Sequence, residues 1–341
     1  YKARHNELVK KMGNGALLQL AMPEATRNSD VHHNWRQESL LYWLTGFAEP
    51  QSAILILAHK PEGERVHIFL RERNPELELW SGRRLGIKGA EESLCIDKAH
   101  PIDDLFKILP KLLDKADKIF YDFSGDADSD KNLVNALNSH RLMMMKNYSS
   151  SRLPIHDASW LAGQVRLRKT DDEIDRMRKA AEITSKAFDA IYQAVRPGMN
   201  ERQVHALIIE SFMANGAEME AYPSIVAGGD NACILHYIEN NQELFDNQLL
   251  LVDAGSQFDY YASDVTRTFP IGQSFTEPQR ALYEIVLAAE VAGIDACRVG
   301  NTWKDVHEVA IDIVVDGLID LGILKGDKEK IIEKGEFKKF F

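Results

Sequence analysis

Two aspartates, Asp253 and Asp264, are the side chains whose positions in this sequence most suggest chemistry. Asp253 ends the apolar run Leu249–Val252, and Asp264 lies on a strand-like segment further along. A carboxylate beside a buried strand is costly unless it is paired or binds a cation, and carboxylates suit Mn²⁺, Mg²⁺, Co²⁺ or Zn²⁺. The pattern therefore predicts a metal site, while the spacing alone leaves open that both aspartates are turn or surface residues.

The segment between the two aspartates predicts a β-hairpin. With Phe258 and Asp259 at its tip, Asp253 and Asp264 would face each other with Cβ atoms about 4.5–5.5 Å apart. Like charges so placed destabilise a sheet, so either one carboxyl is protonated or a cation lies between them. Alternation along the second strand puts small and polar residues on the face of Asp264, namely Tyr260, Ala262, Thr266 and Thr268.

Helices with clear start signals surround this hairpin. Pairs that can form a capping box occur at Thr170–Glu173, Asn200–Gln203 and Thr276–Gln279. A further helix is predicted from about Thr302 to Leu321. The second part of the chain is therefore predicted to contain two helices, a hairpin and two more helices, which is an α+β arrangement.

The first part of the chain alternates short apolar runs with stretches of helical spacing. We predict strands at 16–22, 53–59, 66–70 and 118–123, and helices at 5–12 and 103–116. Such alternation favours an α/β domain. A polar stretch that ends at Pro154 indicates the boundary. We therefore predict an α/β domain over residues 1–155 and an α+β domain over residues 156–341.

Composition narrows the class of protein. The 341 residues are 45% hydrophobic and 27% charged, with a net charge of −11, which is ordinary for a globular protein. The negative charge argues against nucleic-acid partners and gives no attraction to anionic membranes, and no apolar run approaches the roughly 20 residues of a membrane helix. Three widely spaced cysteines predict neither disulfides nor a zinc knuckle, so we expect a cytoplasmic protein.

The aspartate segment closely resembles the metal-binding hairpin of the pita-bread metallopeptidases, through DAG at 253–255 and SDVTRTF at 263–269. This family includes Xaa-Pro aminopeptidases, prolidases and methionine aminopeptidases. AYPSIVAGGDNACILHY at 221–237 and RLRKTDDEIDRMRKAAEIT at 166–184 resemble further parts of its catalytic domain. RQESLLYWLTGFAEP at 36–50 and LWSGRRLG at 79–86 resemble the N-terminal domain of Xaa-Pro aminopeptidases. The implied fold is an aminopeptidase P-like α/β domain followed by an α+β pita-bread domain truncated after its first half.

The resemblance implies a role for each matching residue. Asp253 would chelate one metal ion and Asp264 would bridge two, with Mn²⁺ as the usual metal. His236 would contact the scissile carbonyl or the tetrahedral intermediate, and Trp80 would reach the active site of a neighbouring subunit. The implied reaction removes an N-terminal residue that precedes proline, with a proline-containing peptide as substrate and a homo-oligomer, dimer or tetramer, as the assembly. Taken alone, His236 and Trp80 are better explained by structural roles than by functional ones.

The sequence departs from the family pattern in one respect. The family uses two aspartates, one histidine and two glutamates as ligands, and the last three have no match before Phe341. His307 lies on a predicted helix surface and is a poor substitute. We therefore expect the 341 residues as given to be inactive or nearly so, while the whole protein is a peptidase. The alternatives are a prolidase, a non-catalytic pita-bread peptide-binding protein, and a creatinase-like enzyme that needs no metal.

Overall fold

The computed structural model describes residues 1–123, 126–146, 152–272 and 274–340. Its contacts divide the chain into two compact units, Tyr1–Asp171 and Asp172–Phe341. Part of the segment in which the sequence places a boundary, residues 147–151, lies outside the described residues.

The first unit is built on one mixed sheet. Its strands are β1 Ala16–Leu20, β2 Thr26–Asn28, β3 Val31–His32, β4 Ala53–Leu57, β5 Val66–Leu70, β6 Lys98–Pro101, β7 Ile119–Phe120 and β8 Ile155–His156. Its helices are α1 Lys2–Met12, α2 Ser39–Thr45, α3 Pro75–Ser81, α4 Gly86–Ser93, α5 Leu105–Leu112, α6 Ala127–Lys146 and α7 Ala158–Arg166. Six of these strands form the main sheet in the order β6-β5-β4-β1-β7-β8, while β2 and β3 form a separate two-stranded sheet. Every residue of β4 and β5 is buried. The apolar runs thus form the central strands, as predicted.

The division between the units falls later than the predicted limits of 1–155 and 156–341. β8 pairs with β7 at the edge of the first sheet. Ala158, Leu161 and Ala162 of α7 belong to the same apolar cluster as Leu8 of α1. Residues 155–166 therefore pack within the first unit, since they supply its edge strand and part of its core.

The second unit combines helices with two small sheets. Its helices are α8 Asp171–Ala194, α9 Glu201–Ala214, α10 Glu277–Ala296, α11 Trp303–Asp320 and α12 Lys328–Lys334. Its strands are β9 Met219–Glu220, β10 Ile225–Gly228, β11 Leu249–Ala254, β12 Ser256–Phe258, β13 Tyr261–Ala262 and β14 Val265–Pro270. The strand orders are β10-β11-β14 and β13-β12-β9. The predicted helix–hairpin–helix order is therefore confirmed.

The two faces of the β10-β11-β14 sheet have different surroundings. Burial alternates along β11, and Leu250, Val252 and Ala254 face a core that also contains residues of α8 and α9, such as Phe188 and Phe212. Asp253 has the opposite parity. Asp253 therefore points away from the main core.

The hairpin register differs from the prediction. Asp253 pairs with Thr266 rather than with Asp264, and Phe258 pairs with Tyr261. The tip is Asp259-Tyr260, whose φ angles are 46° and 67°. Two successive residues with left-handed backbone suit a tight hairpin, since the twist of such a turn matches that of the paired strands. The predicted Phe258-Asp259 tip was wrong, and Asp264 is a diagonal rather than a direct neighbour of Asp253.

Candidate active site

The two aspartates converge on one tyrosine. The hydroxyl of Tyr222 lies 2.5 Å from Oδ1 of Asp253 and 3.1 Å from Oδ1 of Asp264. Burial and then the hydrogen bond to Asp253 raise the pKa of Tyr222, so its hydroxyl stays protonated at neutral pH and donates. The register was predicted wrongly, but the convergence of the two carboxylates was predicted correctly.

The segment that carries Tyr222 is held by a carboxylate of its own. Oε2 of Glu220 accepts hydrogen bonds from the backbone N–H and the hydroxyl of Ser224, at 3.1 and 2.9 Å. The same oxygen is 3.2 Å from Nε2 of His205. Tyr222 lies between Glu220 and Ser224 in the sequence. The hydrogen bonds between these two residues therefore hold the backbone from which the Tyr222 side chain reaches Asp253.

The corner of the hairpin positions Asp264. β11 and β14 belong to one sheet and β12 and β13 to another, and Gly255 is the residue at which the chain passes between them. A Cβ at Gly255 would lie 1.9 Å from the carbonyl oxygen of Ser263. The Ser263 hydroxyl is 2.7 Å from that of Thr184 on α8. This close approach fixes the backbone immediately before Asp264.

The hairpin tip is also tied to α8. Arg176 forms an ion pair with Asp259, and the hydroxyl of Tyr261 donates to Glu173 at 2.7 Å. These contacts stabilise a tip in which neither of the two residues with left-handed backbone is a glycine. They explain why the tip falls at Asp259-Tyr260, a position that no turn signal in the sequence marks.

His236 lies on an exposed turn next to the aspartate face of the sheet. Its neighbour Tyr237 is buried and packs with Ile225 and Ala227 of β10, with Leu251 of β11 partly buried against them. Ile225 is the residue paired with Asp253. The turn of His236 is therefore anchored on the sheet face that carries Asp253.

The donor set of the aspartate pair fits part of a site for divalent metal ions. Asp264 is exposed and Asp253 is partly buried, and a single hydroxyl proton is shared between two carboxylates. Carboxylate oxygens are the ligands that Mn²⁺ and Mg²⁺ prefer. Within the described part of the chain, no group of three or more His, Cys, Asp or Glu side chains is placed to hold a metal ion. The described residues thus bring two carboxylates together here, without a third such side chain beside them.

Trp80 is in the other unit, near the end of α3, and is 91% exposed. Full exposure is unusual for a tryptophan in a monomer and agrees with a contact to another molecule. Its predicted role stays a prediction.

A metallopeptidase with an added N-terminal domain is the class of protein that the fold and the aspartate pair define. A model of the metallopeptidase family M24 matches residues 175–339. A model of the aminopeptidase P N-terminal domain matches residues 1–121. The chain belongs to metallopeptidase family M24 and carries the N-terminal domain of aminopeptidase P. The resemblance to this family is thereby confirmed, as is the fold class of an aminopeptidase P-like N-terminal domain followed by a pita-bread domain.

Two curated relatives and one solved structure illustrate the similarity. The Xaa-Pro aminopeptidase of Haemophilus influenzae is 37% identical over 328 residues, which are 96% of this chain and 73% of that protein. The Xaa-Pro aminopeptidase of Escherichia coli is 35% identical over 342 residues, covering 100% of this chain and 77% of that protein. The structure of Pseudomonas aeruginosa aminopeptidase PepP matches with a TM-score of 0.94 and 37% identity, over 99% of this chain and 76% of that one. The protein is a hydrolase of the Xaa-Pro aminopeptidase type, and the family binds divalent metal and acts on peptides.

Two structural features of the site were not predicted from the sequence. Tyr222 lies within the segment 221–237 that resembles the family's catalytic domain. Nothing in its local pattern shows that its hydroxyl reaches residues 31 and 42 positions away. Glu201 lies inside a predicted capping box, yet its complete burial depends on a loop that follows much later.

In the described residues, none of the helices combines the length and apolar character that a membrane span requires.

Proposed function

We propose that the protein removes the N-terminal residue from peptides whose second residue is proline. The observation that carries this proposal is the convergence of Asp253 and Asp264 on the Tyr222 hydroxyl, in a chain of the aminopeptidase P family. The alternative of a pure binding protein gives no reason to keep two carboxylates this close together.

Asp253 and Asp264 would hold the metal ions in this proposal. When bound, divalent ions lower the pKa of a water molecule from about 15.7 toward about 7 and polarise a carbonyl. Tyr222 donates to the carboxylates and fixes their orientation, as partners outside the first ligand shell generally do. β11, which carries Asp253, and β14, which Asp264 directly precedes, are paired and keep both carboxylates within reach of the Tyr222 hydroxyl.

His236 acts on the substrate rather than on the metal. It is exposed, and its turn lies against the sheet face of Asp253, so its imidazole is available to a peptide bound there. A well-placed donor to the charge that develops on the scissile carbonyl contributes about 10²–10³ in kcat. We assign this donor role to His236.

The finer features of the assignment rest on the family resemblance. We propose two metal ions, with Mn²⁺ as the metal, and a homo-oligomeric assembly, dimer or tetramer, in which Trp80 reaches a neighbouring active site. A cytoplasmic location agrees with three cysteines that are all free and exposed, since such thiols suit a reducing compartment.

A Mn²⁺ titration of the full-length protein tests the assignment. Hydrolysis is measured on an X-Pro-Xaa tripeptide, an X-Pro dipeptide and an X-Ala-Xaa tripeptide. We expect Mn²⁺-dependent release of the first residue from the proline tripeptide, and loss of more than about 100-fold in Asp264→Ala. Asp295→Ala, an exposed aspartate on α10, is the control and should keep full activity.

The other outcomes distinguish the competing functions. Activity on the dipeptide alone would identify a prolidase. Binding of peptide without hydrolysis at any metal concentration would identify a binding protein. Hydrolysis that persists in Asp264→Ala and without added metal would contradict the metallopeptidase assignment.

A further inference from the structure

Glu201 is a completely buried carboxylate outside the aspartate hairpin. It is the first residue of α9 and has no solvent exposure. A buried charge is costly unless hydrogen bonds compensate it, although the positive end of the helix dipole favours an anion at this position. The compensation at Glu201 must therefore come from specific partners.

Four donors surround the Glu201 carboxylate. Oε1 accepts from the backbone N–H of Gly228 at 2.9 Å and from Nδ2 of Asn231 at 3.0 Å. Oε2 accepts from the hydroxyl of Tyr237 at 2.7 Å and from the backbone N–H of Gln242 at 2.9 Å. One oxygen thus binds the start of segment 228–242, and the other binds its later part.

Segment 228–242 carries His236 and has little regular structure of its own. After the 3₁₀ turn Gly229–Cys233, residues 234–242, all of which the structure describes, form neither helix nor strand. Asn240 adds two hydrogen bonds at the start of β10: its Oδ1 accepts from the backbone N–H of Val226, and its Nδ2 donates to the carbonyl of Ser224, the residue before the strand. The position of His236 therefore depends on side-chain anchors, and Glu201 binds both sides of its turn.

We propose that Glu201 is the positioning residue of His236, because its two carboxylate oxygens hold the two sides of the turn against α9. This inference rests on the proposed function of His236 and adds the residue that makes it effective. Because Glu201 is fully buried among protein donors, it would act through the turn and not by direct contact with the substrate.

Glu277 provides a matched comparison within the same unit. Glu201 and Glu277 are each the first residue of a helix that begins with a capping box ending in glutamine. Glu201 is buried, whereas Glu277 is exposed. A change at both positions therefore separates an effect on the turn from a general effect on a helix start.

Glu201→Gln keeps the shape of the side chain but replaces one acceptor oxygen with a donor, so one pair of donors loses its partner. We expect kcat of the Mn²⁺-loaded full-length protein to fall by up to about 100-fold, with KM nearly unchanged, because the interaction of His236 belongs to the transition state. Glu277→Gln should match the wild type. In a His236→Ala background the effect of Glu201→Gln should disappear, since the residue that it positions is gone.

Amide hydrogen exchange gives a readout that does not depend on activity. In Glu201→Gln we expect faster exchange in 228–242 and unchanged exchange in the rest of α9. Equal effects of Glu201→Gln with and without His236, or faster exchange confined to α9, would overturn the proposal. A wild type without activity would instead contradict the proposed function, while the exchange pattern would still decide the role of Glu201.

A milder variant covers the case in which Glu201→Gln does not fold. Tyr237→Phe removes one of the four donors and keeps the carboxylate and most of the buried ring. The same loss of kcat, smaller in size and absent in the His236→Ala background, supports the proposal. An equal effect in both backgrounds contradicts it.

Discussion

The aspartates and the histidine of the candidate site are positioned in different ways. Asp253 lies on β11, whose neighbours β10 and β14 pair with it along its length, and Asp264 directly precedes β14. His236 lies on an exposed turn, where its position depends on the side chains of Glu201 and Asn240. Strand pairing thus positions the two aspartates that we propose as metal ligands, whereas separate buried hydrogen bonds hold the turn of the proposed substrate-binding residue.

Because they are positioned differently, the aspartate pair and His236 should respond differently to mutation. Changes around the aspartates should alter metal affinity, because their carboxylates are the proposed metal ligands. Changes around His236 should alter turnover at constant metal affinity, because the role that we propose for the histidine is toward the substrate. Variants near the aspartates and variants near His236 therefore test whether metal affinity and turnover depend on separate residues.

The largest effect is expected for His236→Ala. Loss of the donor to the developing charge should lower kcat by about 10²–10³, while Mn²⁺ affinity stays that of the wild type. Steady-state kinetics at saturating Mn²⁺ and isothermal titration calorimetry measure the two quantities. His307→Ala, an exposed histidine on α11, is the control. A weaker Mn²⁺ affinity in His236→Ala would show that the histidine belongs to the metal side and would end the distinction.

A smaller effect is expected for Tyr222→Phe. The variant removes the hydroxyl that donates to Asp253 and lies 3.1 Å from Asp264, so the two carboxylates lose their orienting partner. Mn²⁺ affinity should fall by about 10–100-fold, and activity should recover as Mn²⁺ is raised.

Tyr192→Phe is the matched control for this variant, since it also removes one hydroxyl within the same unit. Calorimetry with Mn²⁺ is the measurement. An affinity that is unchanged or tighter in Tyr222→Phe would mean that the hydroxyl competes with the metal instead of orienting its ligands.

Local sequence signals predicted much of this fold. The capping boxes at Asn200–Gln203 and Thr276–Gln279 are both formed. The apolar runs at 53–59 and 66–70 contain β4 and β5, which are buried throughout. These features depend on residues within a few positions of one another, so periodicity and capping chemistry suffice to find them.

Features set by distant contacts were not predictable in this way. The hairpin tip is held by Arg176 and Glu173 of α8, and local sequence signals alone placed it one residue too early, at Phe258-Asp259. Glu201 and Glu277 have the same local pattern, but only Glu201 is buried, because segment 228–242 packs over it. The proposed metal site was predicted from two carboxylates beside an apolar strand, whereas the proposed role of His236 came only from the family resemblance.

The smallest effect on activity is expected for Gly255→Ala, which tests whether the strand side depends on close packing. A Cβ there would meet the backbone oxygen of Ser263 at 1.9 Å, so the corner before Asp264 must move, and overpacking of this kind costs about 1–3 kcal/mol. Gly293→Ala on α10 is the control, because its Cβ would meet only Val306 at 3.8 Å and an alanine within a helix is favoured by about 1 kcal/mol. Urea unfolding should therefore give opposite signs for the two variants. A Gly255→Ala protein as stable as the wild type would mean that the corner is loose, and the positioning of Asp264 by the sheet would then need another explanation.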